Sequence, residues 1–151
     1  MNNSEDKAYR PQQAAALCLK RRKRKLYVLI ITSRQTKRWI IPKGWLEEDK
    51  TEAEVALVEA WEEAGVIADP TSPALIGSYH YDKRLRGAQE KPLEVNVYRI
   101  TSCILAKRYP EKKRRQRKWV SLKKAAKMVD EQSLKRLLLA QIESDEGNVG
   151  N

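Results

Sequence analysis

Gly44-Trp-Leu-Glu-Glu-Asp-Lys50 followed by Thr51-Glu-Ala-Glu-Val-Ala-Leu57 and Val58-Glu-Ala-Trp-Glu-Glu-Ala-Gly-Val66 is an acidic loop running into a helix. Residues 51–63 are good helix formers, and either Asp49 with Glu52 or Thr51 with Glu54 has the spacing of a capping box. Gly65 is placed to end the helix with positive φ. Ala53, Ala56, Leu57, Ala60 and Ala64 recur at helical spacing and predict the buried stripe. Glu59, Glu62 and Glu63 stand at i, i+3 and i+4, so one helical face carries all three carboxylates. Such crowding is costly unless a cation sits among them. A hard ion such as Mg²⁺ or Mn²⁺ prefers oxygen ligands. Spacing alone reads more readily as a solvated acidic face.

Upstream, Ala14-Ala-Ala-Leu-Cys-Leu19 and Leu26-Tyr-Val-Leu-Ile-Ile-Thr32 predict two strands joined by the basic hairpin turn Lys20-Arg-Arg-Lys-Arg-Lys25. Trp39-Ile-Ile41 is a short apolar run stopped by Pro42. Downstream, Ala74-Leu-Ile-Gly-Ser-Tyr-His-Tyr81 and Leu93-Glu-Val-Asn-Val-Tyr-Arg-Ile100 predict strands, with a polar loop over residues 82–92. Trp119-Val120 reads as a strand end, and residues 122–129 and 133–142 as helices. Residues 1–10 and 143–151 read as flexible ends of a single domain. Strands and helices interleave without a βαβ repeat, which predicts an α/β fold with a mixed sheet and helices on both faces.

At 151 residues, with 41% apolar and 34% charged positions, the chain is long enough for a core and too apolar for wholesale disorder. Cys18 and Cys103 lack zinc-like spacing and make no disulfide framework. The longest strongly apolar run, residues 26–32, is too short to span a bilayer, and the start of the chain lacks a secretory pattern. A cytoplasmic location with no membrane partner is expected. Charge is unevenly placed. Residues 44–66 carry eight acids and one base, leaving 30 bases against 12 acids elsewhere, so the segment holds −7 and the remainder +18. An acidic centre in a basic surround suits metal-assisted chemistry on anionic substrates, and a broad nucleic-acid surface would share the basic excess.

The frame from Gly44 to Val66 resembles the signature of the Nudix hydrolase family: Gly, five residues, Glu, seven residues, Arg-Glu, an aliphatic, any residue, Glu-Glu, any residue, Gly, an aliphatic. It fits without a gap over about a sixth of the chain, with Lys50 at the first Glu and Val58 at the Arg. The two departures remove opposite charges together, so neither partner is orphaned. The resemblance implies a Nudix-type α/β/α sandwich and metal-dependent hydrolysis of a diphosphate linkage. Glu59, Glu63, Glu62 and the backbone carbonyl near Lys43 or Gly44 would hold Mg²⁺ or Mn²⁺. Glu62 is the implied general base, with a third metal-ligand role as its alternative.

Within the family the chain is most similar to the diphosphoinositol polyphosphate and diadenosine polyphosphate hydrolase branch, on Ser33-Arg34, Arg38-Trp-Ile-Ile-Pro-Lys-Gly44 and Arg114-Arg-Gln-Arg-Lys-Trp119. That likeness implies phosphate contacts from Ser33, Arg34 and Arg115, with Arg84 or Arg86 as further candidates and Lys43 beside the turn. The implied partner is an anionic phosphorylated small molecule: a diadenosine polyphosphate, a diphosphoinositol polyphosphate or a related nucleoside diphosphate derivative. The 5′-triphosphate end of RNA is an alternative that the basic excess supports. A catalytically weakened binding or regulatory module is another, motivated by Lys50 and Val58. His80, the only histidine, reads as structural. Trp39 and Trp119 read as core, while Trp45 and the same-face pair Tyr79 and Tyr81 are open to ligand stacking or packing.

Overall fold

The structure is a computed structural model that describes residues 11–84 and 90–149, with side chains described for residues 11–82 and 92–145. Its organising element is β1 (Pro11–Arg22). Every residue from Ala14 to Leu19 is buried, because this strand is covered on both faces. β1 turns directly into β2 (Lys25–Thr32) through Lys23 and Arg24, which have φ of 51° and 69°. Two successive positive φ values give a tight hairpin turn whose twist matches the strands. The basic hairpin is therefore where the sequence predicts it, although its strands run further into the Lys/Arg run. The next elements are β3 (Trp39–Ile40), β4 (Lys43–Trp45), helix α1 (Glu52–Ala64) and β5 (Val66–Ala68). After them come β6 (Ala74–Arg84), β7 (Glu90–Ile100), β8 (Cys103–Leu105), β9 (Arg117–Ser121), α2 (Leu122–Met128) and α3 (Gln132–Val149).

Seven of the described strands make one mixed sheet in the order β3-β2-β1-β7-β6, with β4 added to β1 and β9 to β2. β1 and β7 run parallel from Pro11↔Glu94 to Cys18↔Ile100, and the other pairings are antiparallel. The period-two alternation of β1 and β2 sends side chains to two cores. Ala15, Leu17, Leu19, Val28 and Ile30 pack with α2 and α3, through Leu122, Ala125, Leu134 and Leu138. Ala14, Ala16, Cys18, Leu29 and Ile31 pack with α1, through Val55, Ala56, Ala60 and Ala64. The result is an α/β/α sandwich around a mixed sheet, as expected.

Several boundaries differ from the sequence reading. β6 and β7 continue pairing to Arg84↔Glu90, so most of the expected loop over residues 82–92 is ladder. Polar residues extend a hairpin once its apolar ends have set the register. Lys43–Trp45 is a strand of its own, antiparallel to β1, where the sequence suggests only a loop after Pro42. β5 and β8 form an unexpected two-stranded sheet. α3 continues past Ile142 to Val149, into the segment expected to be flexible. The expectation for residues 1–10 lies outside the described residues.

Candidate active site

α1 begins with the Thr51–Glu54 alternative of the two capping boxes: the Thr51 hydroxyl accepts from Glu54 N at 3.1 Å, and Glu54 Oε1 accepts from Thr51 N at 2.9 Å. Its first turn is tied to the sheet because Glu52 Oε1 accepts from Asn96 Nδ2 at 2.7 Å and from the Tyr98 hydroxyl at 2.9 Å. Its end is closed by Gly65 at φ 69° and by Arg117, whose guanidinium donates to the carbonyls of Ala64 and Ala106, both at 2.8 Å. A cation at a helix C-terminus also opposes the macrodipole. The helix is thus pinned at both ends, and its carboxylates are held at fixed places over the edge of β4.

A cavity of about 770 Å³ opens there, lined by residues of β1, β4, α1, β6 and the turn between β2 and β3. Glu59, Glu63, Gly44, Lys43, Ser33, Arg34 and Arg115, all singled out in the sequence, line it together. Glu62 is half-buried and is not among the lining residues. Helical geometry gives the reason. Glu59 and Glu63 are separated by about 40° around the axis, whereas Glu62 and Glu63 diverge by about 100°. The cavity wall itself carries the Glu59–Glu63 pair, with Glu62 one turn from Glu59 beside it. Among the described residues no group of three or more His, Cys, Asp or Glu side chains converges as a metal cage. Arg84 ends β6, and Arg86 lies outside the described residues.

The pair is held tightly. Glu63 is 6% exposed. Its Oε1 accepts from Lys43 N at 3.3 Å, and its Oε2 lies 3.7 Å from Arg115 Nη2. Burial pushes the Glu63 carboxyl up to about 8, with the Glu59 charge adding to the effect and Arg115 and Lys43 opposing it. Burial likewise raises Glu59; its hydrogen bond with Glu63 opposes the rise, and the charges of Glu62 and Glu111 add to it. Gly44 explains the close approach of β4, since a Cβ at this position would overlap the carboxyl end of Glu59. Two carboxylates beside a bare backbone are an oxygen donor set suited to a hard divalent ion. Mg²⁺ in particular takes one or two carboxylates, keeps several waters and shares phosphate oxygens.

Cations face this pair. Arg115 is oriented by Glu111, which accepts from its Nε at 3.0 Å, and by the Thr32 carbonyl, which accepts from Nη1 at 3.1 Å. Arg34 is exposed at the mouth. The Ser33 hydroxyl is engaged within its own turn, 2.6 Å from the Thr36 hydroxyl and accepting from Arg38 N at 2.9 Å. It braces the turn that presents Arg34. Lys43 Nζ lies 5.2 Å from the centre of the Tyr81 ring. Lys50 pairs within its own loop, 3.4 Å from Glu47 and 3.9 Å from Asp49.

Sequence reasoning misses Tyr81 as a fixed wall, Gln13 and Glu111. The Tyr81 hydroxyl donates to Gln13 Oε1 at 2.8 Å, and both residues line the cavity. Gln13 lies inside β1 rather than before it. The i, i+4 spacing of Glu111 and Arg115 is the one signal that could have found Glu111. His80 is exposed, and its backbone N–H and C=O bond the Ser133 hydroxyl, which ties β6 to α3. Trp39 and Trp119 pack against the two cores, and Trp45 is exposed at the cavity rim. No helix among the described residues is long and apolar enough to cross a membrane.

The sequence profile of the NUDIX domain matches residues 10–141. Nudix hydrolase 4 of Arabidopsis thaliana is 28% identical over 130 residues, covering 83% of this chain; the chain spans only 60% of that relative. Among solved structures, the C. elegans Ap4A hydrolase is similar with a TM-score of 0.60 and 18% identity, over 85% of this chain and 94% of that one. The NUDIX domain of Shewanella oneidensis NrtR, solved with ADP ribose, is similar with a TM-score of 0.62 and 15% identity, over 91% of each chain. At such identities the structural likeness concerns the fold.

Proposed function

Because the chain belongs to the NUDIX domain family, we propose that it hydrolyses a diphosphate linkage in a phosphorylated small molecule, with Mg²⁺ or Mn²⁺ as cofactor. The observation that carries this reading is the Glu59–Glu63 pair facing Arg34, Lys43 and Arg115 across one cavity. Glu59, Glu63 and the Gly44 carbonyl are the groups that would hold the divalent ion, which when bound supplies charge to phosphate oxygens and acidifies a coordinated water.

The chain's own residues do the rest. Arg115, fixed by Glu111 and Thr32, presents guanidinium donors that do not need to reorganise when phosphate charge develops. Arg34 and Lys43 hold the flanking phosphoryl groups and orient the linkage toward the carboxylate pair. Glu62 is the proposed proton acceptor, with a third metal-ligand role as its alternative; it stands i+3 from Glu59 on the same helix. Trp45, exposed at the cavity rim, offers an aromatic face to a base. That feature favours a dinucleoside polyphosphate or a nucleoside diphosphate derivative, and the fold shared with an Ap4A hydrolase agrees.

The test is phosphate or mononucleotide release from diadenosine tetraphosphate, ADP-ribose and a diphosphoinositol polyphosphate, with and without Mn²⁺. Glu59→Gln and Glu63→Gln should each lower kcat on the order of 10²-fold while the fold persists. Full activity in both variants would remove the site assignment.

A further inference from the structure

The chain's two cysteines, Cys18 and Cys103, lie far apart in sequence and outside the carboxylate cavity. The fold brings them together. β1 and β7 pair as far as Cys18↔Ile100, and the chain then turns through Thr101 and Ser102 so that Cys103 opens β8. Both side chains belong to the core beneath α1: Cys18 is fully buried with Ala56, Ala60 and Ile100, and Cys103 packs half-buried against them. Both are free thiols, and the Cys18 S–H donates to the Cys103 sulfur.

The surroundings divide the two thiols into unlike roles. Lys20 stands two residues from Cys18 on β1, hence on the same face of the strand, and its Nζ lies 4.4 Å from the centre of the Trp119 ring. The hydrogen bond from Cys18 brings the Cys103 thiol down to about 7 against the opposing effect of burial, and the Lys20 charge acts in the same direction. The same hydrogen bond and complete burial push the Cys18 thiol well up. One sulfur is accessible to small reagents and activated; the other is protonated, enclosed and in contact with it. Packing alone accounts for Cys18, but not for a half-buried Cys103 whose sulfur accepts a hydrogen bond near a cation. A structural zinc site does not fit, since two sulfurs fall short of four ligands and no larger cluster of His, Cys, Asp or Glu converges among the described residues.

We propose that Cys103 and Cys18 form a thiol oxidation site, at which a hydroperoxide converts the pair to an intramolecular disulfide. The Cys103 thiolate attacks one peroxide oxygen: an S–O bond forms, the O–O bond breaks, and the second oxygen leaves to be protonated as water or an alcohol. The Cys18 sulfur then attacks the Cys103 sulfenic sulfur. The S–S bond forms as the S–O bond breaks, and the departing hydroxide takes the Cys18 proton as water. Two thiols are oxidised and one peroxide is reduced, with no further reactant. Among the described residues β8 pairs with β5 alone and over three residues, so little holds Cys103 back from closing onto Cys18. Beyond β8, Ala106 N donates to the Gly65 carbonyl at 2.8 Å, so the bond would tie β1 to the segment that closes α1.

The test is hydrogen peroxide treatment of the full chain followed by non-reducing peptide mapping with mass spectrometry. A cross-linked Cys18–Cys103 peptide pair should appear, lighter by two hydrogens, and dithiothreitol should separate it. Cys18→Ala should instead leave a sulfenic acid on Cys103 that dimedone labels, whereas the native chain should lose that label as the disulfide forms. Native thiols that both stay free, a cross-link between two copies through Cys103, or equal dimedone labelling of the native chain and Cys18→Ala would overturn the inference. The native map decides the matter even where Cys18→Ala disturbs the core. No step involves the carboxylate cavity, so the result is independent of the proposed hydrolysis.

Discussion

Glu63 carries the most chemistry for its size. Its folded-state carboxyl is pushed up to about 8 by burial, so folding without metal takes up a proton that the unfolded chain holds only at lower pH. The sign follows. The stability that the protonated group contributes is fully present below the ordinary carboxylate range and is lost as pH rises through about 8. In EDTA, the unfolding temperature of the protein should fall between about pH 5 and pH 8, and Glu63→Gln should flatten that fall. Scanning calorimetry of the two proteins checks this, and parallel curves would contradict it. Glu59 and Glu63 are legible in the sequence because an i, i+4 pair shares a helical face whatever surrounds it. Glu62 is less legible, since i+3 spacing keeps a residue near that face without fixing which side of it the cavity opens on. The Tyr81–Gln13 contact could not be read, because it joins segments far apart in the chain, whereas Glu111 left only the local signal of its i, i+4 spacing to Arg115.

The element that positions the site is α1, and its C-terminus is its most demanding point. Gly65 at φ 69° abuts the Tyr109 ring and the Arg117 guanidinium, and a Cβ would meet Tyr109 Cδ1 at 2.5 Å and Arg117 Nη1 at 2.8 Å. Gly65→Ala should cost about 2 kcal/mol or more in urea unfolding, combining left-handed strain with displaced packing. It should also weaken divalent-metal binding, because Glu63 sits only two residues earlier. A variant with wild-type stability would show that the cap is not under strain. The helix, its capping box and its closing glycine were all legible, since each signal lies within a few residues of the next. The β5–β8 sheet was not, because three-residue strands carry too little periodicity to register. The length of the β6–β7 hairpin was hidden for a different reason: once Leu93, Val95 and Val97 are buried, polar neighbours follow the ladder regardless of propensity.

At the scale of the molecule, the sequence showed a charge segregation, −7 over residues 44–66 and +18 elsewhere, without showing where the two meet. The fold brings them together at one line. β1 joins two halves of the sheet, α1 lays its carboxylates over β4, and Arg115 enters from the segment before β9. The basic excess that could equally have been a diffuse surface is instead partly gathered around the carboxylate cavity. The proposed hydrolysis depends on the Glu59–Glu63 pair accepting a divalent ion. The most direct measurement is calorimetric titration of the full chain with Mn²⁺ in parallel with Glu59→Gln and Glu63→Gln. The account predicts saturable binding by the native chain that either substitution abolishes while circular dichroism stays unchanged. Equal Mn²⁺ binding by all three proteins, or none by the native chain, would contradict it.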